Sequence, residues 1–101
     1  MSDYDAYYKE HLDTIEKCKE NMNKSIPSTR DFNKAIGERL KSLRLQRGFS
    51  RQDVSDLIGL GVDRYSNYER GASVEAYRIA QFVAIYNVSA DYIFGYTNSP
   101  R

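Results

Sequence analysis

Between residues 59 and 71 the chain reads GLGVDRYSNYERG. Glycines at 61 and 71 bracket a short run that holds Arg64 and Asn67, two side chains that each carry several hydrogen-bonding groups. An acid, Glu69, stands near the end of the run beside Arg70. Upstream, residues 34–51 carry Lys34, Arg39, Lys41, Arg44, Arg47 and Arg51 against Glu38 alone, a local excess of five positive charges in a chain whose formal net charge is +1. Such a cluster suits a polyanion, although a solvated helix face has the same composition. Other chemistries lack their residues. His11 is the only histidine, so neither a histidine-based triad nor a histidine-rich metal site can be assembled. Cys18 is the only cysteine and has no constellation that would activate it, so it reads as a buried or inert thiol. No glycine motif that cradles phosphate is present. The residues support no catalysis, and no metal or cofactor is expected.

The elements that must position Arg64 and Asn67 follow from composition and pattern. A length of 101 residues with 41% apolar content suggests one domain with an appendage. The single cysteine excludes a disulfide framework and points to a reducing, cytoplasmic setting. No apolar run reaches the roughly 20 residues of a membrane span, and the acidic MSDYDAYYKEHLD is not a signal peptide. The chain divides at SIPST, residues 25–29, where Pro27 fixes its own φ and disfavours helix at Ile26. Upstream, Tyr8, Leu12, Ile15 and Met22 predict one amphipathic helix over 5–23.

Downstream the pattern predicts five short helices and no strand, hence an all-α fold. Asn33 is expected to cap the first, with Ile36, Leu40 and Leu43 inward, Gly48 as its stop and Phe49 packed beneath. Ser50 and Asp53 form a capping box for the second, with Val54, Leu57 and Ile58 inward and Gly59 at its end. The third runs from about 62 to 69 and closes at Gly71. Ser73 is expected to cap the fourth, whose inward face is Ala76, Ile79, Ala80, Val83 and Tyr86. Ser89 caps the fifth, ADYIF, which ends at Gly95.

Two short helices joined by about three residues make a helix-turn-helix corner. The block IGERLKSLRLQRGFSRQDVSDLIGLGVDRYSNYERG, with NVSADYIFG after it, resembles the Cro/repressor-type (Xre-family) helix-turn-helix domain of bacterial and phage regulators. The carrying signatures are IGERLKSLR, RGFSRQDVSDLIG, SNYERG and NVSADYIFG, and the resemblance covers about residues 34–97. It implies an all-α, five-helix lambda-repressor-like domain over residues 31–97, preceded by an N-terminal helical extension, 1–30, and followed by a tail, 98–101. It also implies that helix 62–69 lies in the major groove of DNA. The matching base-reading positions are Val62, Asp63, Arg64 and Asn67. Arg64 can offer two donors to guanine, Asn67 can pair with an adenine edge, and Val62 can meet a thymine methyl. Tyr65 and Tyr68 match packing positions. Phosphate contacts are expected from Arg51 foremost, then from Ser50, Gln52, Arg47, Arg70 and Ser73. The resemblance further implies an ion pair between Glu69 and Arg44 that fixes the reading helix.

Three positions depart from the family pattern. Gly61 stands where a capping Ser or Thr is usual, Asp63 brings a carboxylate toward the groove, and Tyr65 is bulkier than the usual aliphatic residue. The implied function is a sequence-specific transcriptional regulator, a repressor that occupies an operator as a dimer. The alternative is a protein-interaction module, such as the antitoxin of a toxin–antitoxin pair, or a domain that kept the fold and lost DNA binding. The apolar stripe of the N-terminal helix needs a surface. That surface is either its own domain or, as expected here, a second copy of the chain gripped through residues 5–23. The family domain is complete without this helix, and two-fold readers of DNA need an interface.

Overall fold

The computed structural model describes the backbone of residues 3–101 and the side chains of residues 9–101. Among the described residues six helices follow one another: α1 Asp3–Ser25, α2 Thr29–Gln46, α3 Arg51–Ile58, α4 Val62–Glu69, α5 Ala76–Tyr86 and α6 Ala90–Phe94. Among the described residues there is no strand. The all-α expectation therefore holds, with one long helix ahead of five shorter ones.

Local chemistry explains most of the boundaries. Pro27 interrupts the helical run, and Ser28 opens α2 by accepting a hydrogen bond from the Asp31 amide at 3.2 Å. Asn33 is therefore not the cap that was expected. It lies inside α2, and its Nδ2 donates to Ser73 Oγ at 3.2 Å. Gly48, at φ 72°, takes the left-handed turn after α2, and the Phe49 amide then reaches back to the Arg44 carbonyl at 3.1 Å. That return brings the Phe49 ring against the core. Ser50 and Asp53 form the reciprocal capping box that opens α3. Ser89 caps α6 by accepting from the Tyr92 amide at 3.0 Å, and Gly95 ends it.

Helix α5 departs from the pattern reading. It begins at Ala76, three residues beyond Ser73, and its flanking residue Glu75 makes no side-chain cap. Ser73 is instead the acceptor of Asn33. Its inward face also differs from the expected one. Ile79, Phe82 and Tyr86 are buried, whereas Ala76 and Ala80 are exposed. The buried volume goes to the large Phe82, since a methyl group from either alanine would leave the space beneath α5 unfilled. Leu57 is likewise not inward but 55% exposed, and Ser55 occupies the buried position of α3, its hydroxyl donating to the Arg51 carbonyl at 2.8 Å.

One core unites Ile36, Leu40 and Leu43 of α2, Val54 and Ile58 of α3, Tyr65 and Tyr68 of α4, Ile79, Phe82 and Tyr86 of α5, and Val88, Tyr92 and Ile93 at α6. Its centre is aromatic. The Phe82 ring lies 6.0 Å from that of Tyr65, 6.5 Å from Tyr68 and 6.4 Å from Tyr86, within the range where ring pairs attract beyond area burial. The bulk of Tyr65 is thus absorbed by α5.

Helix α1 stands apart. Every side chain described in it, residues 9–25, is exposed, including Leu12, Ile15, Met22 and Cys18. It runs two residues further at each end than the 5–23 expected. None of these described side chains joins the core. Tyr8, the first residue of the expected stripe, lies outside the described side chains, as does the DYDAYY segment. The molecule measures 67 × 27 × 20 Å, its long direction drawn out by α1.

Gly37 fixes the distance between α2 and α4. A Cβ at this position would lie 2.6 Å from the Tyr68 carbonyl oxygen, 2.7 Å from that of Glu69 and 2.9 Å from the Glu69 carbonyl carbon. All three are backbone atoms, so the clash can be relieved only by moving the end of α4. Gly37→Ala should therefore destabilise the fold by about 1–3 kcal/mol, the usual cost of overpacking, even though alanine favours an isolated helix by about 1 kcal/mol. Chemical denaturation checks this, and an unchanged or raised midpoint would show that the two helices can separate freely.

Candidate nucleic-acid interface

The corner between α3 and α4 is built by three residues. Gly59 takes the left-handed conformation, φ 70° and ψ 40°, and ends α3. The Leu60 amide returns to the Ser55 carbonyl at 3.0 Å. Gly61 is extended and precedes α4 with no side-chain cap. The Ile58 carbonyl at the end of α3 accepts from Arg78 Nη1 at 2.8 Å and from Gln81 Nε2 at 3.3 Å. Two α5 side chains thus satisfy a helix-end acceptor that would otherwise lack a partner. The corner is tied down from behind.

Helix α4 then has two unlike faces. Tyr65 and Tyr68 are buried on the inner one. Asp63, Arg64 and Asn67 are exposed on the outer one, with Val62 half-buried at its start. The four residues expected to read bases therefore share the outward side of one short helix whose opposite side is anchored in the aromatic core. Ser66 Oγ returns to the Val62 carbonyl at 2.8 Å.

Glu69 is turned inward. Arg44 Nε donates to Glu69 Oε2 at 2.7 Å and Arg44 Nη2 donates to Oε1 at 3.1 Å, while Arg44 Nη1 donates to the Phe49 carbonyl at 3.0 Å. The two side chains are 8% and 2% exposed. One planar guanidinium thus bonds the end of α4 with two parallel hydrogen bonds and the loop after α2 with a third, a geometry that lysine cannot supply. Arg51 Nε lies 3.5 Å from Glu69 Oε1 with its side chain 44% exposed, so it screens the pair from solvent. Burial by itself would raise the Glu69 pKa. The Arg44 hydrogen bonds and the charges of Arg44 and Arg51 outweigh it and hold the carboxyl below its usual range. The Tyr65 hydroxyl is pushed the other way, upward, by burial and then by the Glu69 carboxylate.

The residues expected to meet phosphate divide into two groups. Ser50, Arg51 and Arg70 are exposed at the rims of α3 and α4. Ser50 is also the capping residue of α3, so its hydroxyl serves the helix first. Arg51 already lies 3.5 Å from Glu69 Oε1, and three others are hydrogen-bonded within the chain. Arg47 Nη2 donates to the Tyr86 carbonyl at 2.9 Å, Gln52 Nε2 donates to Asp56 Oδ1 at 2.8 Å, and Ser73 accepts from Asn33. A hollow beside α3, lined by Phe49, Asp53, Asp56 and Leu57, carries two carboxylates and does not suit an anion.

Glu75 is the residue that pattern reading missed. It directly precedes α5, and both carboxylate oxygens are bonded to α4: Arg64 Nη2 donates to one and the Tyr68 hydroxyl to the other. Eleven positions separate Glu75 from Arg64, and no helical spacing connects them. Only the path of the loop after Gly71 brings them together. Among the described residues no group of three or more His, Cys, Asp or Glu side chains could hold a metal ion. No helix there is long and apolar enough to cross a membrane.

A family model described as a helix-turn-helix domain matches residues 35–92, which run from the second turn of α2 into α6. Two curated relatives, both from Bacillus subtilis (strain 168), are similar to part of this chain. One, the HTH-type transcriptional regulator ImmR, is 31% identical over 62 residues, which are 60% of this chain and 49% of that protein. The other, the SPbeta prophage-derived uncharacterized HTH-type transcriptional regulator YonR, is 33% identical over 65 residues, 63% of this chain and 60% of that protein. The chain thus spans about half to three-fifths of the length of the curated relatives it matches.

The pair of Arg44 and Glu69 makes stability depend on pH with a definite sign. The folded-state pKa of Glu69 lies below its unfolded value of about 4.3. Its contribution is therefore fully present above that value and is lost as pH falls below it and through the lower folded-state pKa. Glu69→Gln should lower stability at pH 7 by about 3 kcal/mol, the lower end for breaking a buried pair. The loss should shrink below about pH 4. Thermal melts from pH 7 down to pH 3 check both, and identical melts at pH 7 would show that the side chains are not coupled.

Proposed function

Because the chain belongs to the Cro/repressor-type, or Xre-like, helix-turn-helix family, we propose that it is a sequence-specific DNA-binding regulator of transcription. It acts in the cytoplasm as a repressor that occupies an operator as a dimer. The observation that carries this reading is the outward face of α4. Val62, Asp63, Arg64 and Asn67 stand together on a helix whose other face is locked into the core. A major groove admits one such helix, and side chains near its N-terminus reach base edges. Arg64 takes the guanine role and Asn67 the adenine role, with Val62 against a thymine methyl and Asp63 accepting from a cytosine amino group. Arg51 supplies the main phosphate contact, joined by Arg70 and Ser50. Arg47, Gln52 and Ser73 would have to leave or share their present partners to take part. In this division residues 31–97 read DNA, 1–30 assemble the dimer and 98–101 form a tail.

The role given to α1 rests on its exposure. Most helical stability in proteins comes from packing an apolar face. Leu12, Ile15, Met22 and Ile26 are all exposed, and with Lys19 they follow a 3-4-3-4 spacing, the seam of a two-helix coil. Between Lys9 and Lys24 the helix carries four lysines and four acids, so two copies do not repel one another through net charge. The same exposed face would serve an interaction module, in which a different protein covers it and DNA is not bound.

Four outcomes are expected. Gel shifts in rising salt should give a log–log slope equivalent to several phosphates, and a flat response favours the interaction module. Arg64→Ala should cost about 1–3 kcal/mol on the preferred operator and relax one base position. Arg51→Ala should weaken all sequences about equally, and equal losses for both variants on specific and random DNA would dissolve the division between reading and positioning. Removing residues 1–26 should convert a dimer to a monomer by light scattering and lower operator affinity. A truncated protein that stays dimeric would move the interface elsewhere.

A further inference from the structure

We propose that Glu75 sets DNA specificity, as a positioning residue that fixes the direction in which Arg64 presents its guanidinium and weakens binding to every sequence that does not use it. The proposal rests on the base-reading role of α4 given above. Its grounds are the three-residue cluster on the side of α4 that faces the start of α5. Arg64 and Tyr68 lie one turn apart, and the Glu75 carboxylate bridges them, one oxygen to each. The ring of Tyr68 is buried in the core, so its hydroxyl is a fixed point at the edge of the interface. Glu75 is held by that point and in turn holds Arg64.

The exposure of the pair argues for direction rather than stability. The side chains of Arg64 and Glu75 are 57% and 48% exposed, and an exposed ion pair contributes little to folding. What the bridge does is restrict the rotamers of a long side chain. A guanidinium has five N–H donors. The Nη2 group spends one on Glu75, and the remaining donors can meet a base. Ordering a rotamer-rich side chain before binding lowers the cost of ordering it at the interface. The Glu75 carboxyl is held below its usual range, by the Tyr68 hydroxyl first and by Arg64 among the other causes, which keeps it charged at neutral pH.

The fixed negative charge has a second effect. Non-specific binding is driven by phosphate neutralisation and is blind to sequence. A carboxylate at the edge of the reading helix opposes it for every duplex. Only a site at which Arg64 finds its base recovers the loss. Glu75 therefore raises the ratio of specific to non-specific affinity instead of raising affinity itself.

Glu75→Gln tests this, because glutamine keeps the size and an acceptor for Tyr68 but removes the charge. Full-length protein is titrated against a duplex selected from a random pool and against a scrambled duplex. Scrambled-duplex affinity should rise several-fold at low salt, and the specificity ratio should fall by about tenfold, toward the lower end of what a two-donor contact discriminates. In an Arg64→Ala background the same change should leave the ratio within about twofold, because the side chain that Glu75 directs is gone. Tyr68→Phe, which frees the second oxygen, should give part of the same fall. A ratio unchanged by Glu75→Gln overturns the proposal, and so does an equal fall when Arg64 is already alanine. Wild-type protein that enriches no sequence from the pool would defeat the base-reading role itself, whereas a wild-type preference that survives Glu75→Gln defeats this inference alone.

Discussion

Everything at the outward face of α4 depends on one buried carboxylate. Glu69 sits at the end of α4, and a like charge there would ordinarily face the negative end of the helix dipole. The chain answers with Arg44, which binds both oxygens of Glu69 and also the Phe49 carbonyl. The two helices can approach this closely because Gly37 has no side chain to collide with the carbonyls of Tyr68 and Glu69. Attraction and contact thus act at neighbouring places on the same pair of helices. The hydrogen bonds set the orientation of the α4 terminus, and the glycine sets its distance. A buried pair of this kind is a modest source of stability, since desolvation offsets most of the Coulomb gain. Its value lies in direction: the bonds hold only when α4 lies at one angle, and that angle decides where Arg64 and Asn67 point.

The rest of the domain serves the same end. The aromatic group of Tyr65, Tyr68, Phe82 and Tyr86 holds the underside of α4 against α5. Arg78 and Gln81 close the end of α3, so the corner cannot open from that side. Glu75 then connects the start of α5 to the outward side of α4. Helix α4 has only eight residues, too few to persist alone in water, and its geometry is imposed by its neighbours at both ends and underneath. The absence of a side-chain cap at Gly61 is tolerable for that reason.

How much of this the sequence disclosed depended on the range of the interaction. The capping box of Ser50 and Asp53, the left-handed glycines at 48, 59 and 95, and the cap at Ser89 were legible because each is settled within a few residues by backbone sterics or a local hydrogen bond. Asn33 and Ser73 misled because both have cap chemistry. Neither caps, because the neighbouring helices start elsewhere, at Thr29 and Ala76, and the two end up bonded to each other forty positions apart. Ala76 and Ala80 fit an apolar period as well as Phe82 does, and only the volume left by Tyr65 and Tyr68 selects the phenylalanine. Leu57 fits its period too, yet it lies on a side of α3 that is more than half open to solvent. Gly37 has an ordinary helical neighbourhood, and its role appears only when α4 is laid across it. Glu75 carries no local signal at all. The pairing of Arg44 with Glu69 came from family resemblance, since a separation of 25 residues has no periodicity to reveal it.

The central claim is that the outward face of α4 is the surface that meets DNA. The most direct measurement is a titration of isotopically labelled full-length protein with a duplex selected from a random pool, following the backbone amides by NMR. The account predicts that the largest shift changes fall on residues 61–67 and at the start of α3 around Arg51, with smaller ones at Glu75 and little change in α6. Large changes confined to α1 or α6, with residues 61–67 unmoved by saturating duplex, would contradict it.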